Sequence, residues 1–555
     1  MNVALEQLNS QIHTLLFLSS AMTDILTTPK VSSLRFPKLR TIHKIAAFIA
    51  LSWLSVLGLS GWILDHHEWR WSHQWSVPKS WTSPGINRLI RGTIMRDIEI
   101  DPANPEALLG GSERGLWFTS DSGKTWADVI WEESEGRRLS SVPQVYDFVS
   151  GPSGDLNHVW IATDDGIWIV KDQGTRAVPF ALRGTQVTSL TTGSSANELL
   201  GVAAESRLFQ LSVGSDPNIG NVTWIDLTDV VVAGLPDHID LGRFVFELHL
   251  GRGFLPQPWS KLINDYGGVA IVFLSLTGLM YWWLPRRWQH QKPKGKVKLR
   301  QNILRWLYRS HGPTIGLLGA IPILYLSLTG LALDHATPFL EAAKTILLNR
   351  ANLTPIYNYT NLTGEVSNVV GFANEPQRLL IATRFGPLQS FDGGKTWAVD
   401  NKLPRSTDGT DAGRTNVFRQ GDYVFVGIGG VGQFYKRDSE TVWTEIILDG
   451  PKLAITDAAQ HGDAWYLKNS RAIYTGSLSV VNSDVVSSQS STALFTDTSI
   501  AFPPLSGASV FLFVADIHTG SVIHSKWEWI NDLIALLAIV LVCSGPILWW
   551  RRKWM

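Results

Sequence analysis

Four stretches of this sequence, at roughly 45–64, 266–284, 314–333 and 533–550, are each about twenty residues long and nearly free of charge. At about 1.5 Å of rise per residue, a helix of that length crosses the ~30 Å hydrocarbon layer of a bilayer. A buried core helix is the competing reading of one such run. Four in one chain, each flanked by Trp, Tyr, Lys or Arg, favour an integral membrane protein. The composition agrees, with 25 Trp and only 17% charged residues. Lys+Arg (48) balances Asp+Glu (48), which argues against a nucleic-acid binder and its cationic footprint. The single cysteine, Cys543, excludes an internal disulfide framework, Cys-ligated zinc and iron–sulfur clusters.

Basic residues in short loops set orientation. Residues 286–309 carry nine Lys and Arg and no acid; Arg35, Lys38, Arg40 and Lys44 precede the first stretch, and Arg551, Arg552 and Lys553 follow the last. Both termini are therefore expected in the cytoplasm and both long loops outside. The expected order is a cytosolic arm (1–41), a first span (42–66), a β-repeat loop (67–245), and a second span with its preceding histidine motif (246–285). A basic loop (286–310), a third span (311–335), a second β-repeat loop (336–515) and a fourth span with its own histidine motif (516–555) complete the chain.

The chain repeats itself at two grains. LGLSGWILDH (57–66) matches LSLTGLALDH (326–335), and LINDYGG…SLTGLMYWWLPRR matches WINDLIA…VCSGPILWWRRK. The membrane part thus reads as a two-helix unit used twice. In the loops, GLWFTSDSGKTW (115–126) and GPLQSFDGGKTW (386–397) share a Ser/Thr-x-Asp-x-Gly-x-Thr-Trp turn, with a degenerate copy in GIWIVKDQGTRA (166–177). The acid and the glycine make a tight turn between strands. This turn resembles the Asp-box (BNR) turn of β-propellers. Alternating patterns at 206–227, 424–446 and 464–478 bring the number to three blade-like units per loop. The expected fold class is membrane α plus β: a 2+2 four-helix bundle with an extracytoplasmic all-β part. One split six-bladed propeller would remove exposed strand edges; two separate small β domains are the alternative.

Eight of the 14 histidines sit at membrane edges: His43, His66, His67, His249, His311, His335, His518 and His524. Six form repeat-related pairs, His43/His311, His66/His335 and His249/His518. An interfacial histidine is usually an amphipathic anchor, but three pairs kept through a duplication point to a cofactor, ion path or relay. Paired imidazoles without thiolates suit the axial positions of haem b; zinc with Asp65 and Asp334 is the competing donor set. Small pairs, Ser60-Gly61, Thr277-Gly278, Thr329-Gly330 and Ser544-Gly545, allow a porphyrin or another helix to approach. His43 and His66 are 23 residues apart, about 34 Å of helix, so one haem cannot use both. Two sites are expected: an inner one (His43, His311) and an outer one drawn from His66, His335, His249 and His518.

The motifs around His43 and His311, the LSG…DH and LTG…DH helix ends, the HLGRG and HTGSV histidines and the WW…RR exits resemble the PepSY-associated transmembrane family. Its members include haem-containing inner-membrane reductases of ferric siderophores. The resemblance implies a bacterial inner-membrane oxidoreductase that moves electrons to a periplasmic ferric siderophore, with His43, His66, His249, His311, His335 and His518 as haem-iron ligands and two haem b groups. The Asp-box loops depart from the family's usual PepSY modules; only strand-like segments at 242–248 and 509–517 are candidate remnants.

GIGGVG (427–432) has dinucleotide-fingerprint spacing, but QFYKRD follows it rather than a helix, so it reads as blade glycines. With no flavin or nicotinamide domain in the short cytosolic parts, the donor is expected to be a membrane quinol or a cytosolic reductase. Two other classes stay open: a haem-free propeller scaffold or sensor that binds a protein, glycan or cell-wall ligand, and a metal transporter.

Overall fold

The computed structural model describes residues 38–554, except 67, 84–95, 102, 113, 134–135, 152–154, 194–196, 205, 214–221, 254, 256–257, 290–296, 354–356, 358–359, 373, 384–385, 405–414, 430, 450–453, 470–471, 479–491, 499, 501–502 and 504–506. The arm before residue 38 and His67 lie outside the described residues. Among the described residues, three helices are long and apolar enough to cross a membrane: Leu39–Leu64, Trp259–Gln289 and Glu528–Trp550. A bent pair, Val297–Leu318 and Ala320–Asp334, at 58°, is together long and apolar enough to serve as a broken third span in chain order. Pro313 sits within a π-helical turn, Ser310–Thr314, just before the bend, where proline removes a backbone donor and distorts the helix. Gly316 is required beside it, because a Cβ there would lie 2.1 Å from the carbonyl oxygen of His311.

The spans form a ring in which one packs on two, two on three, three on four and four on one. Gly58 and Gly268 bring spans one and two into backbone contact; a Cβ on Gly58 would lie 2.8 Å from the Gly268 oxygen. Ala270, Ile271 and Ile323 fill the centre, with Leu54 and Val542 against them. The two halves share one plan. Ser76–Pro78, after span one, pairs with Gly507–Ser509, and Leu347–Asn349, after span three, pairs with His238–Asp240. Each ribbon leads into a short helix before a span, Leu241–His249 and Val510–Thr519. The alternation at 242–248 and 509–517 suggests strands, yet 242–248 and 510–517 are helical. Asp240 and Ser509 decide this: their side chains accept hydrogen bonds from the Arg243 and Leu512 amides, capping helix starts.

The two loops together build six blades of four strands, two of which gain a fifth outer strand, Ile130–Trp131 and Val231–Ala233, paired in parallel. Their innermost strands are Asp97–Ile100, Val145–Ser150, Val187–Thr192, Val366–Phe372, Thr415–Gln420 and Ile455–His461. Each lies beside the next, and the sixth lies beside the first, so the ring closes. A separate apolar core fills every blade-to-blade boundary, including the two where the loops meet. The fold is one propeller split three plus three. Blades five and six also join at their outer strands, Thr444–Leu448 and Thr492–Asp497, which pair in parallel. In both Asp-boxes the carboxylate closes the turn. Asp121 accepts from the Thr125 amide at 2.8 Å and its hydroxyl at 2.6 Å, and Asp392 does the same with Thr396 at 2.9 and 2.6 Å.

Three aspartates stitch neighbouring blades at the axis. Asp457 accepts from the Ile98 amide at 2.9 Å, Asp97 from the Phe148 amide, and Asp147 from the Leu190 amide at 2.9 Å. Burial raises the pKa of all three carboxyls, and burial together with nearby Asp457 pushes Glu99 up to about 8.

Candidate functional site

Four imidazoles share one local arrangement at the two ends of the bundle. His43 Nδ1 lies 2.7 Å from Ser544 Oγ, and His311 Nδ1 lies 3.0 Å from Thr277 Oγ1. His518 Nδ1 lies 2.8 Å from Ser60 Oγ, and His249 Nδ1 lies 2.9 Å from Thr329 Oγ1. Each hydroxyl already gives its single proton to a carbonyl one turn back: Ser544 to Val540, Thr277 to Phe273, Ser60 to Val56 and Thr329 to Tyr325, at 2.6–2.8 Å. Its oxygen can therefore only accept from the imidazole. That fixes Nδ1 as the protonated nitrogen and leaves Nε2 with the lone pair, the tautomer a metal-ligating histidine needs.

The hydroxyls cross between helices. Span one carries His43 near one end and Ser60 near the other, and its partners Ser544 and His518 lie in and just before span four. Spans two and three exchange His311, Thr277, His249 and Thr329 in the same way. The glycine after each hydroxyl opens onto a ring. A Cβ on Gly278, Gly61, Gly330 or Gly545 would meet the Cε1 of His311, His518, His249 or His43 at 3.2, 3.3, 3.6 and 3.7 Å. The four glycines are thus cradles for imidazoles, Gly61 for His518 and Gly330 for His249.

Electrostatic neighbours pair His311 with His43 and His249 with His518. His43, His311, Gly278 and Gly545 line one cavity of about 1520 Å³ at the basic end of the bundle. Seventeen residues separate His43 from Ser60, about 25 Å along the helix, so the pairs sit near opposite ends. The sharp positions of the rings have local causes. His311 lies in the π-helical turn, a feature that often marks functional positions. His249 and His518 each come two residues before a left-handed glycine, Gly251 (φ 66°) and Gly520 (φ 75°), at a helix end.

His66 and His335 join neither pair. His66 Nδ1 bonds the Trp62 carbonyl at 2.9 Å and lies 3.6 Å from Asp265, and its ring stacks on Trp69. His335 Nε2 lies 2.7 Å from Asp532. The two aspartates belong to the repeated Ile-Asn-Asp of spans two and four. The asparagines before them, Asn264 and Asn531, donate to the backbone carbonyls of His249 (2.8 Å) and His518 (3.4 Å). The sequence marked the four Ser/Thr-Gly pairs as places of close approach but not as hydrogen-bond partners of the histidines, and it left out the two asparagines, whose signal was Ile-Asn-Asp occurring twice. No group of three or more His, Cys, Asp or Glu among the described residues is placed to hold a metal ion directly. The donor set of two neutral imidazoles per end fits the two axial positions of a haem iron better than a closed zinc site.

Similarity to solved structures is low. An ancestral GH74 enzyme matches at 10% identity (TM-score 0.31), covering 73% of this chain and 36% of its own. The GH74 xyloglucanase from Xanthomonas campestris matches at 10% identity (TM-score 0.31), covering 73% and 54%. The β-propeller domain of Cps50 (Swd1) from Myceliophteria thermophila matches at 8% identity (TM-score 0.27), covering 68% and 94%. The chain thus spans about a third to a half of the length of the two GH74 proteins. No curated protein matches this chain in sequence. The family described as PepSY-associated TM region matches residues 164–552, from the second blade to the end of the fourth span. The chain, with its twin two-helix units and their four hydroxyl-held histidines, belongs to the PepSY-associated TM region family.

Proposed function

We propose that this chain is a b-type haem protein of a bacterial plasma membrane that carries electrons across the bilayer to reduce a ferric complex, of the ferric-siderophore class, on the propeller side. His43 with His311 would hold one haem and His249 with His518 the other. The observation that carries this reading is the fourfold unit of hydroxyl, imidazole and glycine, which presents a basic Nε2 at each of four places. Bound haem supplies a one-electron iron couple at each end.

The chain's own residues do the rest. Ser60, Thr277, Thr329 and Ser544 keep Nδ1 protonated and fix the ring planes; the glycines leave room beside the rings; Leu54, Ile271 and Val542 keep water from the centre of the bundle. The positive-inside rule applied to the basic clusters supports a cytoplasmic 286–309 loop and an outer propeller, and in this reading a quinol or a cytosolic reductase is the donor. The test is spectroscopic. Purified protein reduced with dithionite should give the sharp α and β bands of bis-imidazole haem, and His311→Ala and His249→Ala should each remove about half of the haem. A ferric hydroxamate added to the reduced protein should restore the oxidised spectrum and release Fe(II) to a chelator. Colourless protein from haem-replete cells would contradict the reading.

A further inference from the structure

The cavity at the basic end holds more than the His43/His311 pair. Its wall carries four cationic side chains, Arg40, Lys44, Arg286 and Arg305, and no Asp or Glu. Among the described residues Arg40, Lys44 and Arg305 form no ion pair, whereas Arg286 donates to the Trp282 carbonyl at 2.7 Å and lies over the Trp282 ring. The other basic residues of this face are used differently: Arg287 stacks on Trp283 and Arg300 on Trp288. The positive-inside rule accounts for the sign of charge on this side. It does not account for cations grouped around an otherwise apolar cavity whose remaining polar groups are few. Unpaired cations beside a low-dielectric cavity favour an anionic ligand, and guanidinium groups match carboxylates in geometry as well as charge. At about 1520 Å³, the space exceeds the ~300–1,000 Å³ of an ordinary small-molecule site, enough for a flat macrocycle with its side arms.

We infer that Arg40, Lys44 and Arg305 form the carboxylate-binding rim of the basic-end site, taking the two propionates of a haem whose iron His43 and His311 would hold. This rests on the haem reading above and adds an orientation to it: the carboxylates face the basic surface and the apolar edge faces the bilayer centre. The cations are positioning residues that raise the local positive potential, which favours the reduced iron.

The test compares wild type with R40Q/R305Q, R40Q/K44Q/R305Q and the control R287Q in phosphatidylcholine nanodiscs, reading haem per chain and the midpoint potential of each haem by optical redox titration. The expected result is a downward shift of one of the two potentials, or loss of one haem, with the second haem retained as an internal report of folding; R287Q leaves both unchanged. Wild type with two haems and variants with unchanged content and potentials would overturn this inference and leave the haem reading standing. Equal shifts of both potentials would overturn it as a long-range field effect. A shift that appears only when phosphatidylglycerol is added would assign the cations to lipid and overturn it too. Wild type without haem would end both.

Discussion

A hydroxyl one turn from its carbonyl and 2.7–3.0 Å from an imidazole nitrogen is the smallest working part of this protein. Removing it while keeping size tests its role. Ser60→Ala and Thr329→Val should weaken haem retention at the propeller end roughly 10- to 100-fold, in line with other residues that orient a metal ligand. The basic-end haem should stay, as read by haem titration of the stripped protein. Equal loss at both ends would mean that the hydroxyls only pack helices. The histidines were legible in the sequence because a duplication kept them while the helices around them changed. The hydroxyls were picked out only as small residues, and neither their bonds to the histidines nor Asn264 and Asn531 were legible, for a physical reason. In a spanning helix the lipid-facing side is as apolar as the buried side, so no amphipathic period reveals which way Ser60 or Thr277 points. The partner choice of His66 and His335 was hidden for the same reason, since it depends on the rotation of spans two and four that brings up Asp265 and Asp532.

The π-helical turn ahead of the bend in the third span is built around one residue. Without the π-helical turn at Ser310–Thr314, His311 would follow the regular helix. Gly316→Ala forces a Cβ against the His311 carbonyl, and overpacking of that kind costs about 1–3 kcal/mol. The variant should show a lower melting temperature together with selective loss of the basic-end haem. Unchanged haem with unchanged melting would show that the π-helical turn is not what places the ring. Element types were only partly legible: Phe244, Phe246 and Leu248 alternate as in a strand, and the caps Asp240 and Ser509 override that pattern. The blades were more readable, because the Asp-box is a local hydrogen-bonded turn whose residues all lie within a few positions of Asp121 or Asp392.

At the scale of the molecule, the propeller closes only when both loops are present. Its two seams are the core between Leu200, Val202 and Val369, Ile381, and the core between Ile98, Trp117 and Ile473. A segment comprising 97–226 alone would expose both seams and its unpaired edges, and should aggregate or lack cooperative unfolding by circular dichroism; a monomeric, cooperatively folding segment would contradict the split ring. The buried axial acids give the propeller a pH signature. Glu99 has a folded pKa of about 8 against an ordinary value of 4.5, so the folded chain holds a proton that the unfolded chain releases. Its contribution is complete below about pH 4.5 and fades as pH rises toward 8, by at most about 1.4 kcal/mol per pH unit. Asp97, Asp147 and Asp457 act in the same direction. Glu99→Gln should flatten the fall in melting temperature between pH 5 and pH 8, as followed by intrinsic tryptophan fluorescence; an unaltered slope would place the titration elsewhere. The measurement closest to the centre of this account is haem per chain in the purified full-length protein, by pyridine haemochrome against quantitative amino-acid analysis. The account predicts two, falling to one in either His43→Ala or His518→Ala; zero in the parent, or two in both variants, would contradict it.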